Sequence, residues 1–568
     1  MIASAPEPLD AVSEPLVRVL QRRAAEHPDE LAYAVFPGGA TSPTQHITWA
    51  ALHDDARALA ARMLSADVRH GDRVVILAGN RPLWPVADMA CQMIGAIGVG
   101  VFPSSAPAQV RAIMEDSRPV VALADTPDAT LLLSESGTAL GLPTQVVGTG
   151  TAHLPAWESW LGEGREALAG QGPVRTSLRQ RMADVTLDDI AALIYTSGST
   201  GEPKGAMISH RYLAASARSI ATVLELDRSD STVSFLPFSH AAERVFGQCT
   251  RVHVGMSSAL VEDPSEVFRV CAAFEPTLFG GLPRIFERLY EAVELARRAG
   301  DDAHDAIVQR IGRRCRSATS GGAALPSRVS KELASLGLSV LGAYGQTEHL
   351  CIAMHRRGSG DDGTVGLPMQ GTELRLAPDG EILVRRSALT FSGYLNKPGD
   401  TADAFTPDGE WLRTGDRGEI DDAGRLRITG RAKELIALST GRKIAPSPIE
   451  ATLASSPFIA HAICHGEGHK SLVALLSLRR AVVESWAKSQ GFPDGWPALA
   501  HHPALRLELQ EAVDRVNERL ARTDRIRDFA VTEAEFTMES GELTPTLKPM
   551  RTVIASRYSH HFHGLHST

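Results

Sequence analysis

Tyr195-Thr-Ser-Gly-Ser-Thr-Gly-Glu-Pro-Lys-Gly205 is the stretch on which the fold turns. An apolar run at 191–195 comes directly before it and predicts a strand, and a helical pattern starts near Ser209. Between them lie four hydroxyl side chains (Thr196, Ser197, Ser199 and Thr200), the glycines Gly198, Gly201 and Gly205, and the cation of Lys204. Glycines let a backbone wrap closely enough for N–H groups and hydroxyls to face phosphate oxygens, with a lysine neutralising charge. The loop is not of the GxxxxGK[ST] type, because Lys204 lies between Pro203 and Gly205. A flexible Gly/Ser linker shares the composition, but not the preceding strand or the Pro-Lys-Gly ending.

Upstream, helical and strand-like patterns alternate: a helix over 54–64, a strand at 73–77, a helix over 107–116 and a strand at 120–124. This alternation predicts an α/β layered architecture with a largely parallel sheet. Residues 143–172, rich in Gly, Pro and polar side chains, read as a long surface connection. Downstream come a strand at 232–236 and an amphipathic helix over 283–297. Beyond residue 370 the texture changes to short strands, with hairpin turns at Pro378-Asp-Gly380 and Asp421-Asp-Ala-Gly424. A mixed pattern then returns: helix 446–454, strands 460–465 and 472–478, helix 504–521. The expected organisation is a large N-terminal domain, 1–429, of layered sheets and helices, and a small α+β C-terminal domain, 430–568.

Composition narrows the function classes. The 568 residues suffice for several domains, and a 43% hydrophobic share describes an ordinary globular protein. A net charge of −9 with no basic stripe argues against nucleic-acid binding. Six scattered cysteines without a CxxC pair exclude a disulfide framework or zinc ribbon and fit a reducing cytoplasm. The first residues lack a basic region followed by an apolar core, and the longest apolar run, 89–102, is 14 residues, too short to span a bilayer. A soluble, cytoplasmic protein is expected. Of the 58 basic residues only 8 are lysines, and none precedes Lys204, so each lysine is worth locating.

The 195–205 stretch resembles the phosphate-loop signature of the adenylate-forming superfamily, which contains acyl-CoA synthetases, peptide-synthetase adenylation domains and firefly-type luciferases. Further matches follow in the family's order: Ser320-Gly-Gly-Ala323, Tyr344-Gly-Gln-Thr-Glu348, Trp411-Leu-Arg-Thr-Gly-Asp416, Gly430-Arg-Ala-Lys-Glu434 and a late Lys548. The resemblance spans nearly the whole chain from about residue 15. It implies ATP and Mg²⁺ as cofactors, with Thr196, Ser197, Gly198, Ser199, Thr200, Gly201 and Lys204 around the phosphates. Tyr344 on one side, and Gly321, Gly322 and Ala323 on the other, would enclose adenine. Thr347 is similar to the residue that bonds the α-phosphate, and Glu348 to the Mg²⁺ ligand; the metal is held by oxygen donors and phosphate together. Asp416 matches the ribose acceptor, whose two oxygens suit a vicinal diol, and Arg431 a neighbouring basic group. Lys433 corresponds to the hinge of the small domain, and Lys548 to the mobile catalytic cation of the first half-reaction. Taken singly, Glu348 reads as a surface carboxylate, Asp416 as a turn residue after Gly415 and Lys548 as a solvated lysine; only their shared context argues otherwise.

The segments 235–244, 281–287 and 441–450 resemble the long-chain fatty acyl-CoA synthetase branch. There His240 borders the acyl site, although it also reads as a turn-packing residue. The implied reaction is adenylation of a small-molecule carboxylic acid by ATP, followed by thioester formation with coenzyme A. Gln346, His349 and Cys351 depart from the branch beside the expected acyl pocket and leave room for a small, polar or aromatic acid. Three other readings stay open: a diazotase acting on nitrite and an aryl amine, an enzyme loading a separate carrier protein, and a non-catalytic nucleotide binder. The last expects losses at Lys204, Glu348, Asp416 or Lys548, and all four are present.

Overall fold

The computed structural model describes residues 2–4, 9, 12–150, 153–169, 172–197, 203–359, 363–431, 434–440, 442–492, 495–496, 498–544 and 548–567, the side chains of 2–4, 197, 443, 523 and 567 excepted. The chain builds a mixed α/β fold. Its largest sheet has six strands in the order Gln145–Val147, Val121–Ala124, Arg73–Leu77, Ile97–Val101, Ile190–Ser197 and Pro203–Ser209. The first five run parallel and only the last is antiparallel. Helices cover its faces, so the strands are continuous apolar runs such as Val74, Val75, Ile76 and Leu77, all buried.

A second sheet pairs Ser231–Ser234, Ser257–Val261, Leu31–Phe36 and Gln45–Thr48. A third sets Leu278–Gly281, Ser317–Gly321 and Val340–Gln346 in parallel, then turns back through His349–Met354. A fourth, antiparallel sheet contains both expected hairpins, Glu373–Leu376 with Glu381–Arg385 and Trp411–Ile420 with Leu426–Arg431. Further on, Ile459–His465, Leu472–Leu478 and Ile526–Val531 form a three-stranded sheet. Residues 436–531 gather their own apolar core around Leu453, Leu476, Leu505 and Phe529.

Local chemistry sets the element ends. Thr48 caps the helix Trp49–Ser65 by accepting from the Ala51 N–H at 3.2 Å, and Leu52, Ala56, Leu59 and Met63 line its buried face at helical spacing. Ser209 does the same for His210–Leu224, accepting from the Tyr212 N–H at 3.1 Å as the strand ends.

Two expectations fail. Residues 143–172 are not merely a connection: they hold the strand Gln145–Val147 and the helix Trp157–Ala169, whose Trp160 is fully buried. Gly164 lets that helix approach closely, since a Cβ there would meet the Ala58 carbonyl oxygen at 1.9 Å. The helix expected over 504–521 runs Pro503–Asn517 and stops because the Asn517 side chain turns onto the Ile526 backbone, accepting its N–H at 2.8 Å and donating to its carbonyl at 2.9 Å.

After His240 the chain winds as a π-helix, Ala242–Cys249. Two buried ion pairs leave this segment: Arg244 to Asp88, and Glu243 to Arg251 at 2.6 Å. Between the large sheets and the C-terminal sheet, Arg479 reaches back to Glu287 at 2.9 Å.

Candidate active site

The opening motif folds as a β-hairpin, with Tyr195 opposite Gly205, Thr196 opposite Lys204 and Ser197 opposite Pro203. The strand therefore runs past Tyr195, through the first two hydroxyl residues of the motif, and a second strand follows it at once. The remaining loop residues, Gly198, Ser199, Thr200 and Gly201, lie outside the described residues. The Tyr195 hydroxyl donates to Asp116 at 2.7 Å and fixes the base of the hairpin. Lys204 pairs with Asp400, its ammonium 5.5 Å from the centre of the Tyr394 ring.

The segment that brings these partners is tied to the hairpin by backbone bonds. Leu395 N–H donates to the Gly205 carbonyl at 2.9 Å, and Met207 N–H to that of Gly393 at 2.8 Å. Tyr394 then donates its hydroxyl to the Glu348 carboxylate. Burial, reinforced by Glu348, raises the Tyr394 phenol well above its ordinary value, so it stays a neutral donor.

Thr347 and Glu348 form the two-residue tip of another hairpin, closed by the pair Gln346 and His349. The Tyr212 hydroxyl clamps this tip, donating to the Thr347 carbonyl and accepting from Leu350 N–H, both at 2.9 Å. Phe391 N–H holds the Glu348 carbonyl at 2.9 Å. Both tip side chains are half-buried, so the turn presents a hydroxyl and a carboxylate from a rigid base. The carboxylate is a suitable oxygen donor for Mg²⁺, because Tyr394 occupies one oxygen and leaves the other.

Beside this tip lie the proposed adenine groups, at the C-terminal ends of the parallel strands Ser317–Gly321 and Val340–Gln346, and the proposed ribose groups, on an antiparallel pair. Gly321 pairs with Ala343, and Gly322 turns the chain at φ +81°, a left-handed conformation suited to glycine. Gly322 and Ala323 are exposed, while the Ser320 hydroxyl is buried and has no hydrogen-bond partner among the described residues. Tyr344 lies within the strand Val340–Gln346 and donates its hydroxyl to Asp416 at 2.7 Å. Asp416 is not a turn residue. It sits inside the strand Trp411–Ile420, directly opposite Arg431, whose Nε donates to it at 3.0 Å. Burial, with Asp416 adding to it, raises the Tyr344 phenol well above its usual value.

Lys548 and His240 face this group from two further elements. The Lys548 backbone is looped onto Thr544, donating to its hydroxyl at 3.0 Å and accepting its N–H at 2.9 Å. Its side chain is exposed to solvent but crowded by protein, and this desolvation, followed by the like charge of Arg431, lowers the ammonium below its ordinary value despite Asp416 and Glu434. His240 is pushed down to about 4 by burial and then by Lys548, so its imidazole is neutral. The Ala242 N–H donates to its Nδ1 at 3.1 Å, which leaves the proton on Nε2. His240 thus packs a turn and faces the site at once. Lys433 lies outside the described residues.

His349 and Cys351 do not line a polar acid pocket. His349 is fully buried, its Nε2 3.0 Å from the Thr372 hydroxyl, and burial lowers it to about 3. Cys351 packs among Ile220, Leu224, Leu341, Met354 and Met369. Strand alternation turns both inward from the tip. Sequence reasoning missed Tyr212, Tyr394 and Asp400; a tyrosine three residues into a Ser-capped helix was the one local signal.

The AMP-binding enzyme model matches residues 20–395, and the AMP-binding enzyme C-terminal domain model matches residues 433–565. The chain belongs to the AMP-binding enzyme family. This AMP-binding enzyme is 33% identical over 562 residues to the long-chain-fatty-acid–CoA ligase FadD15 of Mycobacterium bovis, covering 90% of this chain and 91% of that one. It is 28% identical over 576 residues to the peroxisomal long chain acyl-CoA synthetase 7 of Arabidopsis thaliana, covering 89% of this chain and 79% of the other. In fold it resembles the anthranilate CoA ligase AuaEII in complex with anthranoyl-AMP, with a TM-score of 0.78 at 21% identity over 97% of this chain and 98% of that one. Membership makes the chain an adenylate-forming, AMP-forming ligase of the acyl-CoA synthetase superfamily. Among the described residues no helix of this AMP-binding enzyme is long and apolar enough to cross a membrane.

Proposed function

We propose that this AMP-binding enzyme is a fatty acyl-CoA ligase that uses ATP, Mg²⁺ and coenzyme A. The observation that carries the reading is the one-third identity to a long-chain-fatty-acid–CoA ligase over nine-tenths of both chains. In the first step a carboxylate oxygen attacks the α-phosphorus of ATP, the bond to the β-phosphate oxygen breaks and pyrophosphate leaves. Thr347 orients the α-phosphate from the rigid hairpin tip, and Asp416 accepts the ribose hydroxyls once Arg431 and Tyr344 have fixed its carboxylate. Glu348, steadied by Tyr394, is the residue that holds Mg²⁺, which neutralises phosphate charge when bound. Lys548 places a positive charge over the transferring group, where a donor aimed at developing charge is worth most.

In the second step the coenzyme A thiol loses its proton, sulfur attacks the acyl carbon, the acyl–phosphate bond breaks and AMP departs. Residues 1–429 act as the fixed domain and 430–568 as the moving one, hinged at Lys433, so that Lys548 serves the first step and withdraws for the second. His240, neutral and beside Phe102, borders the acyl entry. The enzyme works in the cytoplasm, in keeping with six free cysteines.

The test is a panel of fatty, aromatic and short-chain acids with ATP and Mg²⁺, run with and without coenzyme A. AMP and an acyl-CoA should appear together for a fatty acid. Release of pyrophosphate that never leads to a coenzyme A thioester would sink the ligase reading.

A further inference from the structure

Away from the nucleotide site, three imidazoles meet at one corner of the C-terminal sheet. His465 ends the strand Ile459–His465, His469 lies in the turn that follows, and His566 is on the final helix, Ser559–Ser567. One ring nitrogen from each lies within 4.8 Å of the other two. His465 Nδ1 is 3.1 Å from His566 Nε2, and the His469 and His566 rings are 3.7 Å apart. All three are half-buried.

We infer that His465, His469 and His566 form a binding site for a divalent transition metal of the Zn²⁺ class. Zinc bonds imidazole nitrogen at about 2.0–2.1 Å, which in tetrahedral geometry sets ligand nitrogens about 3.3–3.4 Å apart. The His465–His566 separation is close to that spacing. A set of imidazoles without a carboxylate suits Zn²⁺, Ni²⁺ or Cu²⁺ rather than Mg²⁺ or Ca²⁺.

The scaffold holds the donors from outside. His465 stacks on Phe562 at 4.6 Å between ring centres, which orients its ring. The His469 backbone is pinned at both ends: its N–H donates to the Gly466 carbonyl and its carbonyl accepts from Ser439 N–H, each at 2.9 Å. The stacked His469–His566 pair opens by rotation about χ2, a broad and inexpensive torsion. Water completes the coordination. An ion bound there fastens the final helix to the sheet of the domain that carries Lys548.

The experiment uses the full chain, stripped with EDTA and titrated with ZnCl₂ by calorimetry, with Tm followed in parallel. One Zn²⁺ should bind per chain, with a rise in Tm that EDTA reverses. His469→Gln and His566→Gln should each weaken binding at least tenfold, while His560→Gln, on the exposed face of the same helix, should leave it within twofold. Zinc-free Tm checks folding, and two variants on separate elements guard against one of them misfolding. Absence of stoichiometric binding, or an equal loss in His560→Gln, would overturn the site in favour of loose chelation by surface imidazoles. Because the readout is binding and not catalysis, this result stands apart from that of the acid panel.

Discussion

Lys204 and Lys548 are the two lysines assigned to phosphate chemistry, and the regions around them hold them in opposite ways. Lys204 grows from a strand of the six-stranded sheet and is paired with Asp400. Lys548 grows from a loop, is exposed, and has no carboxylate within ion-pair distance among the described residues. A paired cation on a rigid strand is preorganised but partly neutralised. An unpaired one on a loop costs desolvation and stays available to a charge that appears only during reaction. On the proposed function, the contrast assigns binding to the Lys204 region and transition-state stabilisation to the Lys548 region.

The largest effect that sharpens this contrast is that of Lys548→Ala. Pyrophosphate release should fall about 10²–10³-fold, the range for loss of one transition-state donor. Thioester formation from supplied acyl adenylate should change less than about threefold, because it does not use that charge; equal loss in both steps would erase the distinction. Next, Tyr394→Phe removes a hydrogen bond to a charged group, about 1.5–3 kcal/mol. It should slow adenylation by about tenfold or more, measured as ATP–pyrophosphate exchange. Asp400→Asn frees Lys204 and should shift the ATP KM by less than about tenfold, leaving the ratio of the two half-reactions alone.

A pH profile reads the same difference. The lowered Lys548 pKa means its charged form is lost, as pH rises, at a lower pH than for an ordinary lysine. Adenylation should therefore fall in mild base, before an ordinary lysine titrates, and Lys548→Arg should move that limb upward. The smallest effect is expected of Glu287→Gln, which weakens the bond from Arg479 between the two regions but leaves the Arg479 bonds to the Ser456 and Pro457 carbonyls, and should change each half-reaction only a few-fold, in opposite directions.

What the sequence disclosed follows from the range of the interactions involved. The strand Arg73–Leu77 and the helices Pro107–Ser117 and Pro446–Ala454 are local patterns of apolar period and turn chemistry, and they stand where that pattern places them. The strand after the phosphate loop escaped because Pro203 and Gly205 read as loop residues until a partner strand accepts them at a sheet edge. The helix around Trp160 was hidden by Gly162 and Gly164, the second of which serves contact with Ala58. At the site, the motifs exposed Glu348 and Asp416 but not the residues that steady them. Tyr394 lies 46 residues from Glu348, and Asp400 196 from Lys204, distances over which only the tertiary fold can pair side chains. His349 and Cys351 were misjudged because two-residue alternation is invisible until the register of the hairpin is known.

The π-helix beside His240 bears on how the protein tolerates insertion and deletion. Its wide turn lets Arg244 point to Asp88 while Glu243 points to Arg251, two buried contacts on different sides of one segment. Loss of a single residue between 245 and 248 would restore ordinary winding, rotate everything downstream by about 100° and strand one buried charge. The residue count of this segment is therefore constrained, and a length polymorphism here should be rarer than in any exposed loop of similar size.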